Sequence, residues 1–369
     1  MDLYYIIFSL VFASCIFEFS KRNTKKCVLI IWCIFFTIFG GIRWKTGGDW
    51  YQYYEHFLYS SWDNIFNYDR YGDGREQLEP GFVFLNTLIK SVFGEFYIYN
   101  TILCAFIQYT YYKMCYKFTP NYPILMYAYL MINSSSYFPV RSWIALAIAY
   151  WGYIYIKEQN LKRYIIIVIL ATLIHNQCIL FLPFYWVGRI RFNYLSFTLL
   201  YLIFIVFSYL FQDYITMFAL SMEGDIAEKL YHYTQFETEG KAGASYFGWA
   251  LNYFLIMAYI YYRECVKSHK DMWINTLLVM SIAHSCIYIV FSGGMGDLTR
   301  LAILFLPAKA ILFVICFTYF SKGKSFVLKS ISTSFLIAFM IYRLTQLCSW
   351  YYFEDANVPY KTVFDYNLL

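Results

Sequence analysis

Twelve apolar segments, each closed off by charged or turn residues, recur along this chain. They fall at roughly 2–19, 27–43, 96–117, 122–138, 142–157, 164–175, 177–188, 192–211, 245–262, 271–291, 299–320 and 325–348. A helix needs about 20 apolar residues to cross the ~30 Å hydrocarbon core of a bilayer. The pattern predicts an all-α polytopic membrane protein with about 12 transmembrane helices, in a range of roughly 10 to 14. The spread has two causes. Segments 164–175 and 177–188 are each short for a span and read together as a hairpin broken at His175–Asn176, tolerable where other helices bury it. The stretch Gly81–Phe93 is also short and carries Lys90, so it reads as re-entrant or interfacial.

Composition agrees. Only 14% of the 369 residues are charged and mean hydropathy is +0.47, against about 25% charged in a soluble domain. Lipid must be the main solvent, and residues 1–369 read as a single integral membrane domain. Leu3–Phe19 lacks a basic leader and a small-residue cleavage site, so it reads as a retained first span. The net charge of +6 does not indicate nucleic acid, because the basic residues lie in short loops between apolar segments. The 10 cysteines are scattered through apolar segments, with no CxxC or Cys/His metal spacing. No cofactor and no metal are expected.

Lys and Arg orient the chain. One side receives Lys21, Arg22, Lys25 and Lys26, then Lys113 and Lys117, then Lys157, Lys162 and Arg163. It goes on to receive Arg189 and Arg191, then Arg263, Lys267 and Lys270, and finally Lys322, Lys324 and Lys329. That is 17 of the 29 basic residues, in six short loops of the right parity. Two long loops, 44–80 and 212–244, fall on the other side. The first holds seven acids against three bases and the second six against two. By the positive-inside rule both long loops and both termini face away from the cytoplasm. The 41 Tyr and 37 Phe, many at segment ends, suit interfacial belts. Those in the first long loop, among them Tyr53 and Tyr54, are also placed to stack on sugar rings.

The informative charges are those that break this rule. Arg43 ends the second segment, Arg141 opens the segment at 142–157, and Arg300 opens that at 299–320. His175 sits at the hairpin break, and Asp49, Glu55, Glu79 and Asp297 lie in the loops joining these ends. Alone, an arginine at a helix end snorkels to lipid phosphate and a histidine packs. Together they converge by topology on one interface, where guanidinium forks suit a phosphate ligand. Lys309 and Arg343 lie deeper in their segments, without evident partners.

At these same residues the sequence resembles the EpsG/Wzy-type family of bacterial polysaccharide (O-antigen) polymerases. The stretches are Ile42-Arg43, Thr46-Gly-Gly-Asp49-Trp-Tyr-Gln-Tyr53-Tyr54-Glu-His-Phe57 and Glu79-Pro80-Gly81-Phe82 with Leu85-Asn86. Others are Phe138-Pro139-Val140-Arg141, the Ile174-His175-Asn176 turn, Arg300, and Pro359-Tyr360-Lys361. The family's Gly-Thr-Asp stands here as Gly47-Gly48-Asp49, and its Arg-Gln as Arg141-Ser142.

The resemblance implies a GT-C-like fold and an enzyme, a membrane glycosyltransferase on the outer, periplasmic face of the bacterial cytoplasmic (inner) membrane. It would move a glycan from a polyprenyl diphosphate onto the next lipid-linked repeat unit. Its partners would be those lipid-linked oligosaccharides, membrane lipid and a chain-length regulator protein. Arg141 and Arg300 would hold the diphosphate, with Arg43 structuring the loop or assisting, and Tyr53, Tyr54 and Asp297 would meet the acceptor sugar. Asp49, Glu79 and His175 are the available bases for the attacking hydroxyl, and the sequence does not rank them. Other readings stay open. An O-antigen ligase would use the same donor, and a lipid-linked oligosaccharide flippase would want charges at the midplane, as Lys309 and Arg343 are. A membrane-bound acyltransferase would also use a histidine, but no large cytoplasmic loop is present to meet an acyl donor.

Overall fold

The structure, a computed structural model, describes residues 2–70, 77–134, 137–221, 242–266, 271–292, 296–322, 326–348 and 357–365, with some side chains in those ranges left aside. Thirteen α-helices run through the described residues. They are α1 (Asp2–Ala13), α2 (Arg22–Gly41), α3 (Trp50–Tyr59), α4 (Pro80–Phe93), α5 (Phe96–Phe118), α6 (Pro123–Asn133) and α7 (Arg141–Lys157). The rest are α8 (Leu161–Ile174), α9 (Tyr194–Ser221), α10 (Ala242–Cys265), α11 (Met272–Phe291), α12 (Leu306–Ser321) and α13 (Phe326–Cys348). Among the described residues the extended pairing consists of two isolated bridges, Arg43 with Thr362 and Asp69 with Gln77.

Among the described residues three helical stretches, Arg22–Gly41, Met272–Phe291 and Thr299–Ser321, are long and apolar enough to cross a membrane; Leu3–Phe19, Pro80–Phe93, Pro123–Asn133 and Tyr194–Leu210 are apolar but shorter. Twelve full spans are therefore not established. The chain is a membrane protein all the same. On α9, Leu195, Leu199, Leu202, Ile203, Val206 and Leu210 are exposed, as are Ile166, Ile169, Leu170 and Leu173 on α8. Faces this apolar need a lipid solvent.

The chain divides into two compact units, Met1–Leu182 with Phe317–Leu369, and Pro183–Cys316. In the first, α5 is the central helix, packed by α2, α6 and α7, while α13 lies against α1 and α6. One end of this unit gathers basic residues: Lys117 pairs with Glu158 at 2.9 Å, and Lys25 and Lys322 both approach the Tyr122 ring. In the second unit α11 is central, packed by α9, α10 and the 3-10 turn Gly296–Phe305.

The two intramembrane cations find amide partners inside their own units. Lys309 donates to Asn252 Oδ1, and Arg343 Nε donates to Asn133 Oδ1 at 2.6 Å.

The two expected long loops are partly helical. Residues 50–59 form α3, α9 runs on to Ser221 and α10 begins at Ala242, with 222–241 outside the described residues. Trp50, Tyr53, Tyr54 and Phe57 recur at i, i+3, i+4 and i+7, the spacing of an amphipathic helix face.

α8 ends at Ile174, with His175 as its C-cap, and the chain continues as a 3-10 helix over Asn176–Tyr185. Tyr164 Oη donates to the Phe181 carbonyl. Since Tyr164 lies near the start of α8, the chain must turn back at His175–Asn176 to bring Phe181 there.

Candidate functional site

The site is built where α4 starts. Glu79 is its N-cap, Pro80 occupies the first turn, where the missing N–H costs nothing, and Gly81 lies against the end of α8. A Cβ at Gly81 would come within 2.6 Å of the Leu173 carbonyl oxygen, so only glycine permits this approach. The approach delivers Glu79 to the α8 break. Its Oε1 accepts from the Asn176 backbone N–H at 3.1 Å and faces His175 Nδ1 at 3.4 Å. Its Oε2 accepts from Arg141 Nη1 at 2.5 Å.

Burial works to raise the Glu79 pKa. The His175 hydrogen bond, the Arg141 charge and the Asn176 N–H outweigh it and bring the value down to about 2. Both oxygens are engaged and the group is ionised, which makes Glu79 an anchor rather than a base at neutral pH. With Nδ1–H donated to the carboxylate, His175 Nε2 carries the lone pair. It faces the Gln177 amide at 3.1 Å, whose two ends serve as donor or acceptor by rotation. A carboxylate that fixes one tautomer of an imidazole whose other nitrogen is basic is the orienting part of a general-base dyad.

Arg141 opens α7 after Phe138-Pro139-Val140, and the Tyr53 phenol meets its backbone N–H. Tyr53 is one turn ahead of His56 on α3. His56 Nδ1 is 3.4 Å from Tyr68 Oη. Burial, with the charges of Arg70 and Arg141, pushes His56 down to about 4. Lys90 fixes the far end of α3, donating to the carbonyls of Leu58 and Ser60 at 2.5 and 2.9 Å.

Arg43 follows α2 and is 1% exposed. Its guanidinium lies over the Phe138 ring at 4.4 Å, and Nη1 donates to the Thr46 carbonyl at 3.0 Å. Among the described residues Nε and Nη2 have no partner. Gly47, at φ +99°, makes room: a Cβ there would meet Nη1 at 2.5 Å. A C-terminal strap pairs with this segment. Trp44 N donates to Lys361 O and Val363 N to Ile42 O, both at 2.9 Å. Lys361 N donates to Thr46 Oγ1 at 3.0 Å. The Tyr360 ring stacks on Phe39 with centroids 4.4 Å apart, its hydroxyl donating to the Phe39 carbonyl.

One end of the first unit thus brings together Arg43, Asp49, Tyr53, Glu79, Arg141 and His175. Asp49 is exposed, and its charge reaches Arg43 and Tyr53. Tyr54 is packed between the Trp50 and Phe96 rings, at 5.1 and 5.2 Å. Arg300 belongs to the second unit and is exposed; the Asp297 side chain lies outside the described residues. Among the described residues no group of three or more His, Cys, Asp or Glu is placed to hold a metal ion.

Sequence reasoning missed His56, Gln177 and the strap. His56 and Gln177 each sit within three residues of a chosen residue, and Pro359-Tyr360-Lys361 was visible as a stretch without a role.

The family profile described as "EpsG family" matches residues 26–362, nearly the whole chain. No curated protein matches the chain, and no solved structure does.

Proposed function

We propose that this chain, which belongs to the EpsG family, is a membrane glycosyltransferase that joins polyprenyl-diphosphate-linked oligosaccharide repeat units into a surface polysaccharide. Membership supports a polysaccharide-polymerase role. O-antigen as the product, the outer face of the inner membrane as the place and a chain-length regulator as partner belong to this proposal. The observation that carries it is Glu79 bridging Arg141 and His175 at one end of the first unit.

The reaction breaks the bond between the anomeric carbon and a diphosphate oxygen while an acceptor hydroxyl attacks that carbon. The bonding pair leaves with the diphosphate. Arg141, held by Glu79 on one nitrogen, keeps the rest of its planar fork for phosphate oxygens, the fixed charge compensation such a leaving group needs. The hydroxyl proton passes to His175 Nε2, and the resulting imidazolium is stabilised by Glu79. Base catalysis of this kind contributes about 10²–10⁴-fold. Asp49 and Tyr53 are left to position the acceptor sugar.

The test is genetic. Deletion of the gene should collapse the surface-polysaccharide ladder to a single repeat unit, wild type should restore it, and His175→Ala and Arg141→Ala should not. Accumulation of lipid-linked units on the cytoplasmic side would instead indicate a flippase. A ladder unchanged by the deletion sinks the reading.

A further inference from the structure

Arg43 is a buried cation with unused donors. Among the described residues, only Nη1 of its three nitrogens has an acceptor, and that acceptor is a neutral carbonyl. No carboxylate lies within ion-pair distance of it among the described residues; Asp49, the acid whose charge reaches it, is exposed. Leaving a guanidinium desolvated with two nitrogens unmatched is costly, and a fold that needed only a packing residue there had apolar alternatives of equal volume. The group moreover lies over the Phe138 ring, and Gly47 is kept free of a side chain to admit it. Its geometry is fixed for something the latched structure does not offer.

Its surroundings say what that is. Phe138 begins the Phe138-Pro139-Val140-Arg141 peptide, so the Arg43 guanidinium lies against one end of a short stretch whose other end is Arg141. The Tyr53 phenol lies within electrostatic reach of both. The strap runs beside Arg43: Thr362 pairs with the Arg43 backbone, and the Tyr360 phenol is also within electrostatic reach of the guanidinium. The strap is held by a few backbone bonds, the Tyr360 stack and hydroxyl bond on Phe39, the Lys361 N–H bond to Thr46 Oγ1, and Asn357, whose carbonyl accepts from Tyr4 Oη at 3.1 Å.

We propose that Arg43 is a second anion subsite, for a phosphate or diphosphate ester, and that the strap Asn357–Asp365 is the latch that covers it. This deepens the polymerase reading and rests on it: a reaction between two lipid diphosphates needs two anion sites, and Arg141 supplies one. With the strap down, the first unit offers the Arg141 site alone. Lifting Tyr360 from Phe39 exposes Nε and Nη2 to the second ligand.

The probe is inorganic diphosphate, titrated calorimetrically into the purified full chain in detergent, with phenylglyoxal labelling of Arg43 followed by mass spectrometry. Tyr360→Ala should bind an additional diphosphate, or bind it about tenfold more tightly, and should speed labelling of Arg43 about tenfold. Tyr360→Phe, which keeps the stack and removes one hydrogen bond, should move both readouts in the same direction by a smaller factor and guards against misfolding of the alanine variant. Adding Arg43→Gln should abolish the gain, while adding Arg141→Gln should preserve it. If both folded Tyr360 variants match wild type in binding and labelling, or if the gain survives Arg43→Gln, the latched subsite is overturned. In that event a wild-type diphosphate site lost with Arg141→Gln leaves the polymerase reading standing. Absence of any diphosphate binding in every variant counts against both.

Discussion

Glu79 and Arg141, 62 residues apart in sequence, meet at 2.5 Å, and the other oxygen of the same carboxylate is taken by His175 and Asn176. One acid therefore orients both the proposed phosphate ligand and the proposed base.

Glu79→Gln should disable both roles at once. The amide cannot hold an imidazolium, and one of its ends repels Arg141. Polymerisation in membranes should fall roughly 10²-fold or more. Breaking a buried pair from one side costs about 3–5 kcal/mol, so thermal unfolding in detergent should occur several degrees lower. A variant with wild-type polymer and an unchanged Tm would remove Glu79 from the site.

Arg141→Lys tests the fork. A lysine keeps the charge but has no second planar donor edge to give a phosphate while it remains on Glu79. Stability should stay near wild type while polymer yield drops about tenfold or more; equal yield would mean that a point charge is enough.

Acid should loosen this end of the molecule in two stages, read as Tm against pH in detergent. His56 is depressed to about 4 from 6.5, so the unfolded chain binds its proton first and stability falls as pH drops from about 6.5 to 4. Glu79, depressed to about 2 from 4.5, adds a loss as pH drops from about 4.5 towards 2. Both contributions are complete above pH 6.5. His56→Gln should flatten the upper stage and leave the lower, a pattern that a purely nonspecific acid collapse would not show.

Gly81→Val should push α4 from α8, since a side chain there meets the Leu173 carbonyl at 2.6 Å. The expected result is loss of polymer with the protein still inserted. A ladder of normal length would show that Glu79 reaches His175 without that close approach.

Lys309→Met separates polymerase from transporter. Its head group is met by the Asn252 amide within the second unit, and methionine fills a similar volume. The ladder should persist; loss of repeat units from the outer face would favour transport.

Much of this was legible in the chain. The paired short segments marked the turn at His175–Asn176, because neither could span a bilayer alone. The arginines against the positive-inside trend marked the end of the molecule where Arg43 and Arg141 lie. The helix at 50–59 was hidden under its acidic, aromatic composition although its 3–4 spacing was present. Twelve spans are not established, for a related reason: hydropathy marks apolar runs, while Pro123, the His175 break and the 3-10 turns decide how much of each run is one straight helix. What no local pattern could reveal were long-range contacts: Gly81 against Leu173, and Thr362 against Arg43 across 319 residues. Such contacts depend on packing, and their partners carry no periodic signal.

The three-way sharing of Glu79 has a consequence for timing. A phosphate seated on the free edge of the Arg141 fork shares the guanidinium charge with the carboxylate, and the Glu79 charge then falls more heavily on His175. The carboxylate is then drawn more closely to the imidazole when the leaving group is seated than when the site is empty. By reciprocity, a protonated imidazole frees Arg141 for the phosphate. On the proposed reading, imidazole orientation and donor occupancy support each other, so water arriving before the sugar donor meets a less ordered base.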